Sequence, residues 1–126
     1  MTVTMQAEVK VSGALSCIDS DGARPLTPEE FHDVIGRMAD HFDDETSITD
    51  PTVWGQAASG DMEIYFLLPA VSGAPALNEQ IAHIIGRMGD AVGLVWANDP
   101  RSPARTEATP MMSQTSQHLD LIPVPA

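Results

Sequence analysis

Cysteine occurs once in this sequence, at Cys17, and lysine once, at Lys10. A single cysteine excludes an internal disulfide and any metal site built from several cysteines. With 6 Lys and Arg residues against 18 Asp and Glu, the net charge is −12. A polyanion is repelled by such a surface, so ordinary nucleic-acid binding is excluded. Aromatic residues are 5% of the chain, too few for the aromatic platform on which RNA-recognition sheets stack bases. No apolar run approaches the roughly 18 to 20 residues that a membrane span needs. The start of the chain, Met1 to Val11, has neither a basic cluster nor an apolar stretch of the secretory type. These features together favour a cytoplasmic protein. Also missing are a phosphate-cradling glycine loop, a nucleophile elbow and histidines at the spacing of a helical zinc site. No cofactor is implied.

What is present is globular: 43% of the residues are apolar and 19% are charged. A chain of 126 residues can bury a core without covalent staples. Abundant Ala, Gly, Pro, Asp and Arg beside one lysine points to a GC-rich bacterial genome. The acidity is explained most simply by solubility; a halophilic host, a basic partner and mimicry of nucleic acid are the alternatives.

Periodicity then divides the chain. Val3, Met5, Ala7, Val9 and Val11 alternate with polar residues over positions 2–11, which predicts a half-buried strand. Positions 12–26 read as a connection. Thr27, Pro28 and Glu30 have the spacing of a capping box, and Phe31, Val34, Ile35, Met38 and Phe42 follow at helical intervals. A weaker strand is expected within 46–58, with Asp50-Pro51 near its start. Ser59-Gly60-Asp61 reads as a hairpin turn into a second confident strand over Met62 to Leu68. Leu77, Ile81, Ile84, Ile85, Met88 and Val92 predict a second helix over 76–92 with Gly93 as its cap. Leu94 to Ala97 could form a short strand. The domain therefore spans 1–97, and 98–126, rich in Pro, Ser and Thr, reads as a loosely ordered tail that could end in a strand at 118–124.

An internal echo supports this order. Val34-Ile35-Gly36-Arg37-Met38-Ala39-Asp40 recurs as Ile84-Ile85-Gly86-Arg87-Met88-Gly89-Asp90. Each copy lies in a predicted helix that follows a predicted strand. The expected fold is α+β, a ferredoxin-like split βαβ sandwich with two helices on one face of an antiparallel sheet. Gly36 and Ala39 flank one stripe, and Ala82, Gly86 and Gly89 the other, so these flanks are expected to pack against each other.

Few residues suggest chemistry. Asp19 to Phe31 resembles an EF-hand calcium loop, with Asp19, Asp21 and Glu30 at the first, third and twelfth places. Ala23 and Arg24 stand where the loop needs an oxygen ligand and a glycine, so no metal is expected. His32, His41, His83 and His118 form no ligand pair. Asp40, Asp43, Asp44, Glu45 and Asp50 form an acidic cluster that reads as a solvated loop or a docking patch for a basic partner. Cys17 has Asp19 and Asp21 near it in sequence, which would not activate a thiol.

The remaining feature is the sheet's second face. If helices cover Val9, Val11, Ile64 and Phe66, then Gln6, Glu8, Lys10, Glu63, Tyr65 and Leu67 lie opposite, and Trp54 and Gln56 could join them. The expected function is a non-enzymatic protein-binding or regulatory module, or a homodimer, acting through Glu8, Trp54, Glu63, Tyr65 and Leu67. One alternative is a small-ligand protein of the dimeric α+β barrel kind, with Tyr65, Glu63 and Glu8 as acid-base groups. A further one is an acidic nucleic-acid mimic.

Overall fold

A computed structural model describes residues 4–19, 21–71, 74–97 and 109–124. In chain order the elements are β1 (Thr4–Asp19), β2 (Gly22–Arg24), α1 (Pro28–Asp43), β3 (Thr49–Gln56), β4 (Asp61–Val71), α2 (Ala74–Val92), β5 (Val95–Trp96) and β6 (Thr109–Val124). The protein is α+β. Two helices accompany a six-stranded mixed sheet ordered β3-β4-β1-β6-β5, with β2 hydrogen-bonded to the far end of β1. Every pairing is antiparallel except the short β5–β6 ladder. Among the described residues, no helix is long and apolar enough to cross a membrane.

The first helix starts where its sequence requires. Thr27 Oγ1 accepts the Glu30 N–H at 3.2 Å, and Glu30 Oε1 accepts the Thr27 N–H at 2.9 Å. Both bonds satisfy amides that no helical carbonyl can reach. Phe31, Val34, Met38 and Phe42 are buried on one stripe. They meet Ala7, Val9, Val11, Leu15 and Cys17 from β1 and Met62, Ile64, Phe66 and Leu68 from β4. From α2, Leu77, Ile81, Ile84, Ile85, Met88 and Val92 complete the same core. Each large side chain buried this way contributes about 1.5 to 3 kcal/mol against exposure. At the end of α2, Gly93 adopts φ +81°, and the N–H groups of Gly93 and Leu94 both donate to the Gly89 carbonyl. That conformation suits glycine and stops the helix.

Three expectations differ from the structure. First, positions 12–19 continue β1 rather than forming a connection. Leu15 and Cys17 keep the inward alternation, while Ser12, Ala14 and Ser16 only look loop-like because they are small. Their backbone groups are satisfied by β6, which pairs with β1 from Thr4 to Ile18. Second, residues 109–124 form the long strand β6, not a loose tail; residues 98–108 lie outside the described residues. Met112 anchors β6 with no exposed surface, and Leu119 packs on the core. Third, the glycines of the two flanks do not mark a close approach of one helix to the other. A Cβ on Gly36 or Gly86 would find no atom within 4 Å, and the neighbour crowding Gly89 is Trp96. The echo repeats because Val34 and Met38, like Ile84 and Met88, bury against the sheet. An ion pair also joins the two helices, Arg87 Nη2 lying 3.0 Å from Glu45 Oε2 just beyond α1.

Candidate functional site

The sheet face away from the helices is assembled by strand register. Thr52, Tyr65, Lys10 and His118 form one lateral row across β3, β4, β1 and β6. Trp54, Glu63, Ser12 and Ser116 form the next row. Leu67, Glu8 and Asp120 form the row on the other side, and Gln6 lies opposite Ile122 beyond it. Residues directly opposite in a sheet share a face. Glu8, Trp54, Glu63, Tyr65 and Leu67 are therefore on one surface, together with Gln6, Lys10 and Gln56. Sequence reasoning left Trp54 and Gln56 conditional on register. The pairing Trp54↔Glu63 and the partly buried alternate Val53, packed against the core, place both on this face.

Trp54 is 48% exposed and Ile122 37%. Tyr65 and Leu67 are half-buried among their neighbours. The apolar surface is thus interrupted by charge. Lys10 Nζ lies 3.9 Å from Glu63 Oε1, a partly exposed pair worth about 0.2 to 1 kcal/mol. Glu8, Asp61, Glu63 and Asp120 set four carboxylates against the single Lys10 ammonium, so the face is acidic. Burial pushes the Tyr65 phenol above its ordinary range, and the charge and hydrogen bonding of Glu8 push it further in the same direction. A phenol held neutral beside a carboxylate donates a hydrogen bond; it is not an activated base.

The contribution of β6 was the part missed by sequence reasoning beyond a possible strand at 118–124. His118, Asp120 and Ile122 alternate with Leu119 and Leu121, and that period of two was the signal available. His118 Nε2 lies 3.2 Å from Asp120 Oδ2 along the strand.

Other candidate groups are engaged elsewhere. Asp19 Oδ1 accepts the Asp21 N–H, and Glu30 caps α1 while accepting from Arg24 Nη1 at 3.1 Å. Two of the three carboxylates that resemble a calcium loop, Asp19 and Glu30, therefore serve the turn and the cap. No group of three or more potential metal ligands occurs among the described residues. In the acidic cluster, Glu45 is bound by Arg87 and Ser47, while Asp40, Asp43, Asp44 and Asp50 are exposed. His32 and His83 are exposed; His41 sits edge-on to Phe42. Cys17 is buried in the core. A recess of about 310 Å³ at the β3–β4 turn is lined by residues such as Leu15, Phe31 and Ala57, with Ser16 and Ser59 as its polar side chains. It presents no acid-base pair.

No family model, curated protein or solved structure matches the chain.

Proposed function

We propose that the chain is a non-enzymatic protein-binding module of ferredoxin-like architecture, docking a partner on its helix-free sheet face. The architectural reading is supported by the element order and by the central strand order β3-β4-β1-β6, all antiparallel. This is the arrangement of two interleaved βαβ halves. β2 and β5 are short additions to it.

The observation that carries the docking reading is that Trp54, Tyr65 and Leu67 share one sheet face with the carboxylates of Glu8, Asp61, Glu63 and Asp120. Aromatic side chains at the centre of a patch are the usual anchors of protein interfaces. Glu8, Asp61, Glu63 and Asp120 select a partner with basic groups around an apolar centre. Two copies of this face would oppose like charges, so a heterologous partner fits better than face-to-face self-association.

The test is affinity capture with the wild-type chain, Tyr65→Glu and Glu79→Ala, the last on the helical layer. A protein retained by wild type and Glu79→Ala, lost with Tyr65→Glu, and released by moderate salt is the expected result. Capture that is indifferent to Tyr65→Glu would place the binding surface elsewhere.

A further inference from the structure

The two edges of the sheet are built differently. β3 is guarded: Asp50 adopts φ +52°, Pro51 follows, and the β3–β4 register shifts there. Such a kink blocks strand addition. β6 is paired on its outer side only at Met111 and Met112 among the described residues. Beyond them the register with β1 shifts between Ser12 and Gly13, leaving Thr115 as a bulge, and Pro123 stands near the other end. Between these interruptions lie Ser116 to Ile122, which have no outer strand partner among the described residues and whose midpoint is Leu119. Unpaired strand edges are templates for pairing, and Leu121 is 52% exposed on this one.

The charges on the edge are arranged in an unusual way. His118 lies opposite Lys10, and Asp120 lies opposite Glu8. Neither residue has a complementary partner on β1; the two are joined to each other, His118 Nε2 lying 3.2 Å from Asp120 Oδ2 along the strand.

We infer that β6 is a homodimerisation edge, pairing antiparallel with β6 of a second copy about a twofold axis at Leu119. In this register Leu119 meets Leu119 of the copy, and Ser116 meets Ile122. His118 meets Asp120 of the copy, twice by symmetry, which joins the pair that each chain forms along its own strand into a set of four alternating groups. Shifting the axis by one residue puts Asp120 against Asp120, or His118 against His118. The midpoint of the uninterrupted edge and the charge pattern thus select the same register independently. The surface is isologous, as closed dimers require. It joins two sheets edge to edge and leaves both helix-free faces open. The inference does not depend on what those faces bind.

Sedimentation equilibrium of the full chain tests it. The wild type dimerises, and His118→Asp raises the dimer dissociation constant about tenfold or more, because two pairs turn like-charged at once. The double variant His118→Asp with Asp120→His restores the affinity to within about threefold, since it exchanges the members of each pair. Both substitutions place opposite charge against β1, so folding is not at risk, and circular dichroism checks this. Leu119→Cys should oxidise readily to a covalent dimer, which reads the register directly; the native Cys17 is buried and does not interfere. A monomer at the highest accessible concentration overturns the inference. So does a dimer unaffected by His118→Asp, or one broken by Tyr65→Glu; the latter would assign self-association to the sheet face.

Discussion

The indole of Trp96 lies against Gly89 so closely that a Cβ there would stand 2.8 Å from Cζ2 and 3.2 Å from Nε1. This contact accounts for the one small-residue difference within the helical echo, where Ala39 corresponds to Gly89. The first helix has no strand like β5 folding back on it.

Opposite signs are therefore expected for two glycine-to-alanine substitutions. Gly89→Ala gains helix propensity but drives a methyl into the indole, and should destabilise the protein by about 1 to 2 kcal/mol net. Gly36→Ala meets no atom within 4 Å and should stabilise by about 0.5 to 1 kcal/mol. Urea denaturation of both variants checks this. Equal effects in the same direction would mean that Trp96 does not occupy the position described.

Met112 tests whether the C-terminal strand belongs to the core. It has no exposed surface and pairs with Leu15 on β1 and Trp96 on β5. Met112→Ala should cost about 2 to 5 kcal/mol. A change within a few tenths would show that β6 is dispensable to the fold.

The comparison of sequence with structure turns on where pattern and composition disagree. The capping box at Thr27 and the stripes of α1 and α2 were legible because their local chemistry and their burial agree. The strands carrying Val9, Ile64 and Tyr65 were legible for the same reason, and with them most of the helix-free face. β6 was obscured because Ser113, Thr115, Ser116 and Gln117 resemble loop composition. Its strand character comes from pairing with β1 along its length, a non-local interaction that no window of sequence contains. The rest of the face depended on register: Trp54 joins it only because the β3 kink at Asp50-Pro51 precedes the paired residues.

Acid should act on the cap of α1. The hydrogen bond from Arg24 holds the Glu30 carboxyl down to about 2, from an ordinary 4.5, with the Thr27 backbone amide assisting. A carboxyl depressed in the folded state contributes stability above its unfolded value and loses it as pH falls through the folded one. The contribution of Glu30 is therefore complete above about pH 4.5 and is lost progressively toward about pH 2. Glu30→Gln should be less stable than wild type near neutrality, and the difference should shrink over this window. Thermal melts at several pH values read it. A difference that stays constant down to pH 2 would remove Glu30 from the acid response.

The pairing of Tyr65 with Glu8 at the centre of the helix-free face can be read spectroscopically, because Tyr65 is the one tyrosine in the chain. Burial is the main cause holding its phenol above the ordinary value of 10.0, followed by the Glu8 charge and hydrogen bond, with Asp50 adding a smaller repulsion. All of these disfavour phenolate, so the neutral ring stabilises the fold below pH 10.0, and that contribution is lost as pH rises through the raised folded value. In a rapid pH-jump titration followed by phenolate absorbance, before any alkaline unfolding, the midpoint should lie above 10.0. Glu8→Gln should bring it part of the way back, since burial remains. Glu63→Gln should move it less, because Glu63 lies one row away and is engaged with Lys10. A wild-type midpoint at or below the ordinary value would mean that the ring is freely solvated. Equal responses to Glu8→Gln and Glu63→Gln would mean that only the general negative field of the face is felt. In either case Tyr65 would lose its place as the ordered, neutral donor at the centre of the docking surface.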